Sequence, residues 1–126
     1  MCTSNLLKND HLIISGRQFS SRLMLGTGKY QNFQEAKEAI LLSGCEILTV
    51  AVRRAQNSNV EGIDRLLNNL DWTKIWLMPN TAGCQTSEQA IRLAFLSREI
   101  LKNLNYVDNN FLKLEVIPDP KYCLLY

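Results

Sequence analysis

The stretch Phe111–Ile117, F-L-K-L-E-V-I, with Pro118-Asp119-Pro120 behind it, decides how the chain is read. Seven residues rich in branched and aromatic side chains, ended by proline, predict a buried strand rather than a helix. Side chains two apart on a strand share a face. Lys113 and Glu115 therefore look out together, and Leu112, Leu114 and Val116 take the other face. Burying charge is costly, so the pair has two readings. One is an exposed edge or a structural ion pair, the commoner case. The other is a lysine nucleophile with a carboxylate beside it to move protons.

Composition narrows the field. The chain has 126 residues, 46% hydrophobic and 21% charged, ordinary values for one soluble globular domain. A net charge of +2 and the lack of a basic run with interleaved aromatics argue against nucleic acid. No apolar stretch approaches the ~20 residues of a membrane span. The opening M-C-T-S-N-L-L-K-N-D-H has no secretory core, so neither a signal nor a transit peptide is expected. Cys2, Cys45, Cys84 and Cys123 form no C-x-x-C pair, and His11 is the single histidine. No metal site, cofactor or disulfide framework is expected, and a reducing compartment suits the thiols.

Upstream, Leu12–Ile14 and Arg17–Phe19 flank Ser15-Gly16 and predict a hairpin. Arg22–Leu25 is a short strand ending in Gly26-Thr27-Gly28, a turn that lets backbone approach a ligand. Asn32 with Glu35 suits a helix cap. Phe33, Ala36, Ala39, Ile40 and Leu41 trace a helical stripe that Ser43-Gly44 ends. Glu46–Val52 is a β-rich strand followed by Arg53-Arg54. Asp64–Leu70 predicts a short second helix. Lys74–Met78 is a strand closed by Pro79-Asn80-Thr81-Ala82-Gly83. Thr86 with Gln89 opens a long amphipathic helix to Leu104, with Ala90, Ile91, Ala94, Phe95, Ile100 and Leu101 as its apolar positions. Phe111–Ile117 then adds the fourth strand of the series.

Alternating strands and helices, with nearly continuous apolar strands, predict an α/β fold of parallel βα units. Ligands in such folds sit at the C-terminal strand ends. Gly26-Thr27-Gly28, Arg53-Arg54, Asn80–Gly83 and the end of the Lys113 strand all fall there. Taken singly, each suits a turn or a solvated loop. Together they offer glycines, guanidinium, amides and hydroxyls to a phosphorylated or carbonyl substrate.

Four segments, S-R-L-M-L-G-T-G-K-Y (21–30), E-I-L-T-V-A-V-R-R (46–54), P-N-T-A-G-C (79–84) and K-L-E-V-I-P-D-P-K (113–121), closely resemble the thiazole synthase family of thiamine biosynthesis. The likeness runs from about Leu12 onward, with the motifs in the family's order. It implies a (β/α)8 barrel. It further implies condensation of 1-deoxy-D-xylulose 5-phosphate with a dehydroglycine imine and with sulfur carried as a thiocarboxylate on a small ubiquitin-like protein. By the same likeness, Lys113 forms a Schiff base with the sugar ketone and Glu115 assists proton transfer. Gly26, Thr27, Arg53, Asn80 and Thr81 are then expected to bind substrate.

A complete barrel of this kind takes ~250 residues. The sequence stops at Tyr126, after the fourth barrel strand. The expectation is thus a single partial domain, the N-terminal half of a barrel, with a tail over about 1–11 and βα units over about 12–126. The phosphate-binding loops and a second acidic catalytic residue would belong to the other half. Open sheet edges predict a homo-oligomer or poor solubility. Family likeness implies the cytoplasm or a plastid, and abundant Asn, Lys, Ile and Leu fit an organelle-encoded copy. The alternative is a truncated, non-catalytic remnant or interaction fragment. The catalytic reading requires that the Lys113 amine face a concavity shared with Glu115.

Overall fold

Ser15 (φ 49°) and Gly16 (φ 79°) turn the chain back within the first described segment. Positive φ at both central positions is the type I′ hairpin geometry, whose twist matches the flanking strands. The turn joins β1 (Leu12–Ile14) to β2 (Arg17–Phe19), antiparallel with Leu12 opposite Phe19, as the sequence predicts. The computed structural model describes residues 10–53, 68–103, 109–119 and 121. The tail before Asp10, Arg54, Leu104 and most of the helix expected over Asp64–Leu70 lie outside them.

A second sheet holds β3 (Met24–Gly26), β4 (Ile47–Ala51) and β5 (Trp76–Asn80) in the order β3-β4-β5. Both pairings are parallel, with Gly26 beside Thr49, Thr49 beside Met78 and Ala51 beside Asn80. The predicted βα pattern is therefore present. The bounds shift: β3 is Met24–Gly26 where Arg22–Leu25 was expected, β4 is Ile47–Ala51 within the expected Glu46–Val52, and β5 starts at Trp76 and runs through Pro79 and Asn80 instead of spanning Lys74–Met78. Odd and even residues of a strand send their backbone groups to opposite neighbours. Trp76 N–H donates to Glu46 on the β4 side, whereas the Pro79 carbonyl accepts from Lys113 on the other. The N–H that proline lacks thus faces away from β4, and the β4–β5 ladder is intact.

Among the described residues two helices cover one face. α1 (Phe33–Ser43) starts at Asn32, whose side chain accepts from the Glu35 N–H at 2.9 Å, and Gly44 follows its last turn. Glu35 reaches back to the Gln31 N–H at 2.8 Å. α2 (Ser87–Asn103) repeats the device: Thr86 accepts from Gln89 N–H at 3.3 Å and Gln89 accepts from Gln85 N–H at 2.8 Å. Among the described residues no helix is long and apolar enough to cross a membrane.

The core lies between sheet and helices. Ala36, Ile40, Cys45, Leu48, Leu70 and Ile75 form one cluster, and Val50, Leu77 and Leu101 a second, with Trp72 against both. Leu48 is fully buried, which stabilises the fold by about 1.5–3 kcal/mol. The helix faces differ from the expected stripes. Leu41 and its neighbour Leu42, the latter 88% exposed, lie outside the buried sector of α1, which is Ala36 and Ile40. Ile91 and Phe95 are likewise exposed on α2, where Ala90, Ser97 and Leu101 are buried. Ser97 is accommodated because its hydroxyl donates to the Leu93 carbonyl at 2.6 Å.

The other sheet face carries Ile47, Thr49, Ala51, Trp76, Met78 and Asn80. The β1–β2 hairpin closes its lower end. The Arg17 guanidinium lies 3.6 Å from the Trp76 ring centroid, and Phe111 packs against Trp76 (5.4 Å) and Phe19 (6.2 Å). Ser20 N–H donates to the Glu46 carboxylate at 2.8 Å, tying the hairpin to the entry of β4.

The expected fourth strand is not regular. Phe111–Ile117 runs parallel beside β5 but forms a single bridge pair, Asn80 with Lys113. The cause lies in β5. A parallel ladder alternates donors and acceptors evenly along both strands, and Pro79 has no N–H to give the Phe111 carbonyl. Leu114, expected on a covered face, is 69% exposed; no helix among the described residues lies over it.

Candidate active site

Side-chain hydrogen bonds replace the missing rungs on either side of the Asn80–Lys113 bridge. At the bridge, Lys113 N–H donates to the Pro79 carbonyl (2.9 Å) and Thr81 N–H donates to the Lys113 carbonyl (3.2 Å). Upstream, the buried Asn109 amide donates to the Leu77 carbonyl and its oxygen accepts from Phe111 N–H at 3.2 Å. Downstream, β5 turns away. Ala82 N–H donates to the Asn80 side-chain oxygen (3.1 Å) and Cys84 N–H to the Thr81 carbonyl (3.2 Å). Gly83 at φ +84° supplies the third turn position, the residue a type II turn requires in this conformation. Glu115 N–H donates to the Thr81 hydroxyl at 2.8 Å, and that hydroxyl donates to the Glu115 carbonyl at 2.8 Å. Ile117 N–H reaches the Cys84 carbonyl at 2.8 Å.

Register decides where Lys113 points. Paired residues on adjacent strands share a face, so Ala51, Asn80 and Lys113 form one row at the C-terminal rim. Phe111, two residues earlier, stacks on Trp76 of that same face. Leu112 points the other way, lining a cavity of about 200 Å³ with Ala94, Ser97 and Leu101 of α2. Lys113 therefore stands on the face turned away from the helices, and Glu115 follows by the two-residue period. Lys113 is exposed and Glu115 half-buried. Neither forms an ion pair among the described residues.

The expected enclosure around the amine is not what the described residues build. Cavities of about 800 Å³ and about 510 Å³ lie along α2 and at the N-terminal strand ends, lined by residues other than Lys113. Among the described residues, three strands and one bridged segment form the wall from which Lys113 projects.

The remaining expected ligands divide into two kinds. Gly26 ends β3 opposite Thr49 with its backbone at the surface. The Arg53 guanidinium lies over Gly83; a Cβ there would meet its Nη1 at 3.3 Å. Asn80 uses its side-chain oxygen in the turn and keeps its amide nitrogen unpaired among the described residues. These three remain candidates for substrate contact. The hydroxyls of Thr27 and Thr81 bind main chain. Thr27 donates to the Thr49 carbonyl from N–H (3.2 Å) and from Oγ1 (3.0 Å). Thr81 is 0% exposed, with its hydroxyl taken up by Glu115. Sequence reasoning missed Pro79 and Asn109, which shape the approach to Lys113, and Lys29, held at φ 72° beside the Gly26–Gly28 turn. An asparagine two residues before an apolar run was the one visible signal for Asn109.

Comparison with known proteins bears on this arrangement. The family model for thiazole biosynthesis protein ThiG matches residues 13–125. The thiazole synthase of Emiliania huxleyi is 68% identical over 115 residues, 91% of this chain and 42% of that protein. That of Thermosynechococcus vestitus is 59% identical over 119 residues, 94% of this chain and 43% of that protein. A bifunctional protein ThiO/ThiG of Nostoc sp. is 60% identical over 113 residues, 90% of this chain and 17% of that protein. The chain thus spans about two fifths of the length of the two thiazole synthases. With four ordered motifs, a parallel βα sheet and a match over nearly every residue, the chain belongs to the thiazole biosynthesis protein ThiG family.

Proposed function

We propose that this chain carries the Schiff-base half of a thiazole synthase, with Lys113 as nucleophile and Glu115 as its proton carrier. The observation that carries the reading is the Asn80–Lys113 bridge, which sets the amine at the C-terminal rim on the face away from the helices. The substrate is 1-deoxy-D-xylulose 5-phosphate. The Lys113 nitrogen attacks its ketone carbon, and the ketone oxygen leaves as water after two proton transfers. A C=N bond takes its place. Only a neutral amine attacks, and an ordinary lysine is neutral in roughly one molecule in a few thousand at pH 7. Glu115, two residues on, accepts the proton that the amine gives up.

Asn80, Arg53 and the Gly26 backbone are the proposed substrate contacts at this rim. Thr27 and Thr81 act from behind it. Dehydroglycine and the thiocarboxylate of a small ubiquitin-like carrier protein are the proposed co-reactants, and the product is a thiazole phosphate carboxylate. The proposed architecture is the N-terminal half of a (β/α)8 barrel. In support, β3, β4, β5 and the Lys113 segment add in chain order on one side, unlike a doubly wound sheet. Exposed Leu42 and Phe95 support a homo-oligomer. Algal and cyanobacterial relatives support a plastid or cytoplasmic setting.

The test is borohydride reduction of the full-length protein with deoxyxylulose phosphate, followed by peptide mapping. The expected result is an adduct within residues 111–121 at Lys113, absent in Lys113→Arg because arginine stays protonated. An adduct retained in that variant refutes the assignment. The exposure of Lys113 also suits the second reading, an interaction fragment without catalysis, which no adduct at all would favour.

A further inference from the structure

In a parallel ladder continuing past Asn80, Glu115 N–H would donate to the Thr81 carbonyl. The Glu115 carbonyl would accept from the N–H of residue 83. Neither backbone group is in place, because the chain turns and the Thr81 carbonyl already accepts from Cys84 N–H. The Thr81 hydroxyl takes both parts, accepting from Glu115 N–H and donating to the Glu115 carbonyl, each at 2.8 Å. Among uncharged side chains of this size a hydroxyl is the strong donor and acceptor at one atom. Thr81 is wholly buried, so water does not compete for these bonds.

We propose that Thr81 is a positioning residue for the Lys113–Glu115 pair: its hydroxyl stands in for the missing rung and holds the Glu115 main chain in strand register. That register keeps the Glu115 carboxylate on the face that carries the Lys113 amine. A one-residue slip or a local rotation would send it to the opposite face. The inference rests on the roles given above to Lys113 and Glu115. Thr81 meets main chain only, so its influence on the chemistry passes through Glu115.

The experiment compares Thr81→Val and Thr81→Ser with the unmodified full-length protein. Valine keeps the shape and loses the hydroxyl, and serine keeps the hydroxyl. Misplacement of a reacting group by about 1 Å lowers rates about 10²-fold. Thr81→Val is therefore expected to slow adduct formation on Lys113 about 10²-fold at saturating sugar phosphate. KM is expected to change by less than about threefold, since no substrate contact is removed. Thr81→Ser restores the rate. In the unmodified protein the Glu115 amide exchanges slowly with deuterium, a readout that remains if Thr81→Val does not fold. A Glu115 amide exchanging like an exposed one overturns the proposal. So does a Thr81→Val effect confined to KM, or a Thr81→Ser variant as slow as Thr81→Val. An adduct at Lys113 with Thr81→Val unimpaired overturns the positioning role alone. No adduct at Lys113 in the unmodified protein overturns the proposed function, and the positioning role with it.

Discussion

Pro79 and Lys113 lie side by side in the sheet and share one hydrogen bond, from Lys113 N–H to the Pro79 carbonyl at 2.9 Å. Any other residue at position 79 would return a second bond to the Phe111 carbonyl. Proline leaves the approach to Lys113 to the Asn109 side chain instead.

Pro79→Ala is expected to restore that rung, and the new amide at position 79 should exchange slowly with deuterium. Stability should change by less than about 1 kcal/mol. A hydrogen bond of about 0.5–1.5 kcal/mol is gained, while the unfolded chain regains freedom of about 0.4–1 kcal/mol. Exchange mass spectrometry and urea denaturation measure the two quantities.

Glu115→Gln leaves the main-chain bonds to Thr81 untouched and removes the proposed proton acceptor. Loss of a general base lowers kcat about 10²–10⁴-fold. The expected result is a slow variant whose adduct with Lys113 still forms on long incubation. Single-turnover trapping with borohydride reads the rate, and an unimpaired variant would reassign the carboxylate to structure.

Gly83→Ala forces a Cβ into the left-handed region at φ +84° and to 3.3 Å from the Arg53 Nη1. The arginine tip can move; the backbone conformation carries the penalty, about 1–2 kcal/mol. Denaturant unfolding should show that loss. If Arg53 contacts substrate, KM should rise as well, because its guanidinium is displaced from the turn.

Arg17→Ala removes a guanidinium lying 3.6 Å from the Trp76 centroid. An exposed cation–π contact is worth about 0.5–1 kcal/mol. Arg17→Lys should recover only part of it, because an ammonium lacks the planar stack. Thermal unfolding of the three proteins ranks them.

The Asp71 carboxyl accepts from the Thr73 hydroxyl (2.5 Å) and the Thr73 N–H (3.1 Å), with Lys74 at 3.6 Å. These bonds, the Thr73 hydroxyl first, hold it below the ordinary carboxylate range. A depressed folded value means the contribution is complete above the unfolded value and is lost as pH falls through the folded one. Asp71 is exposed, so the effect on stability is small. An NMR titration should place Asp71 below a free aspartate, and Thr73→Ala should move it up.

Much of this fold is legible in local chemistry. Branched apolar runs mark β4 and β5, Asn32 and Gly44 bracket α1, and Ser15-Gly16 marks the hairpin. What stayed hidden depends on distant partners. Leu41, Ile91 and Phe95 are apolar enough for a core, but only the sheet decides which sector of each helix it meets. Phe111–Ile117 has strand composition, while its regularity depends on a donor missing from Pro79. Thr81 at a strand end suggests a ligand contact. Its actual partner is main chain thirty-four residues away. Lys113 and Glu115 were readable as a pair because they sit on one segment with a two-residue period.

The Arg17–Trp76–Phe111 stack joins the first hairpin to the segment that enters Lys113. A growing chain emerging from the ribosome therefore displays its hairpin long before the ring that caps it exists. Until Phe111 arrives, Phe19 and Trp76 have no third aromatic to close against. The aromatic contacts at the base of the sheet therefore close only once the segment that carries Lys113 has been synthesised.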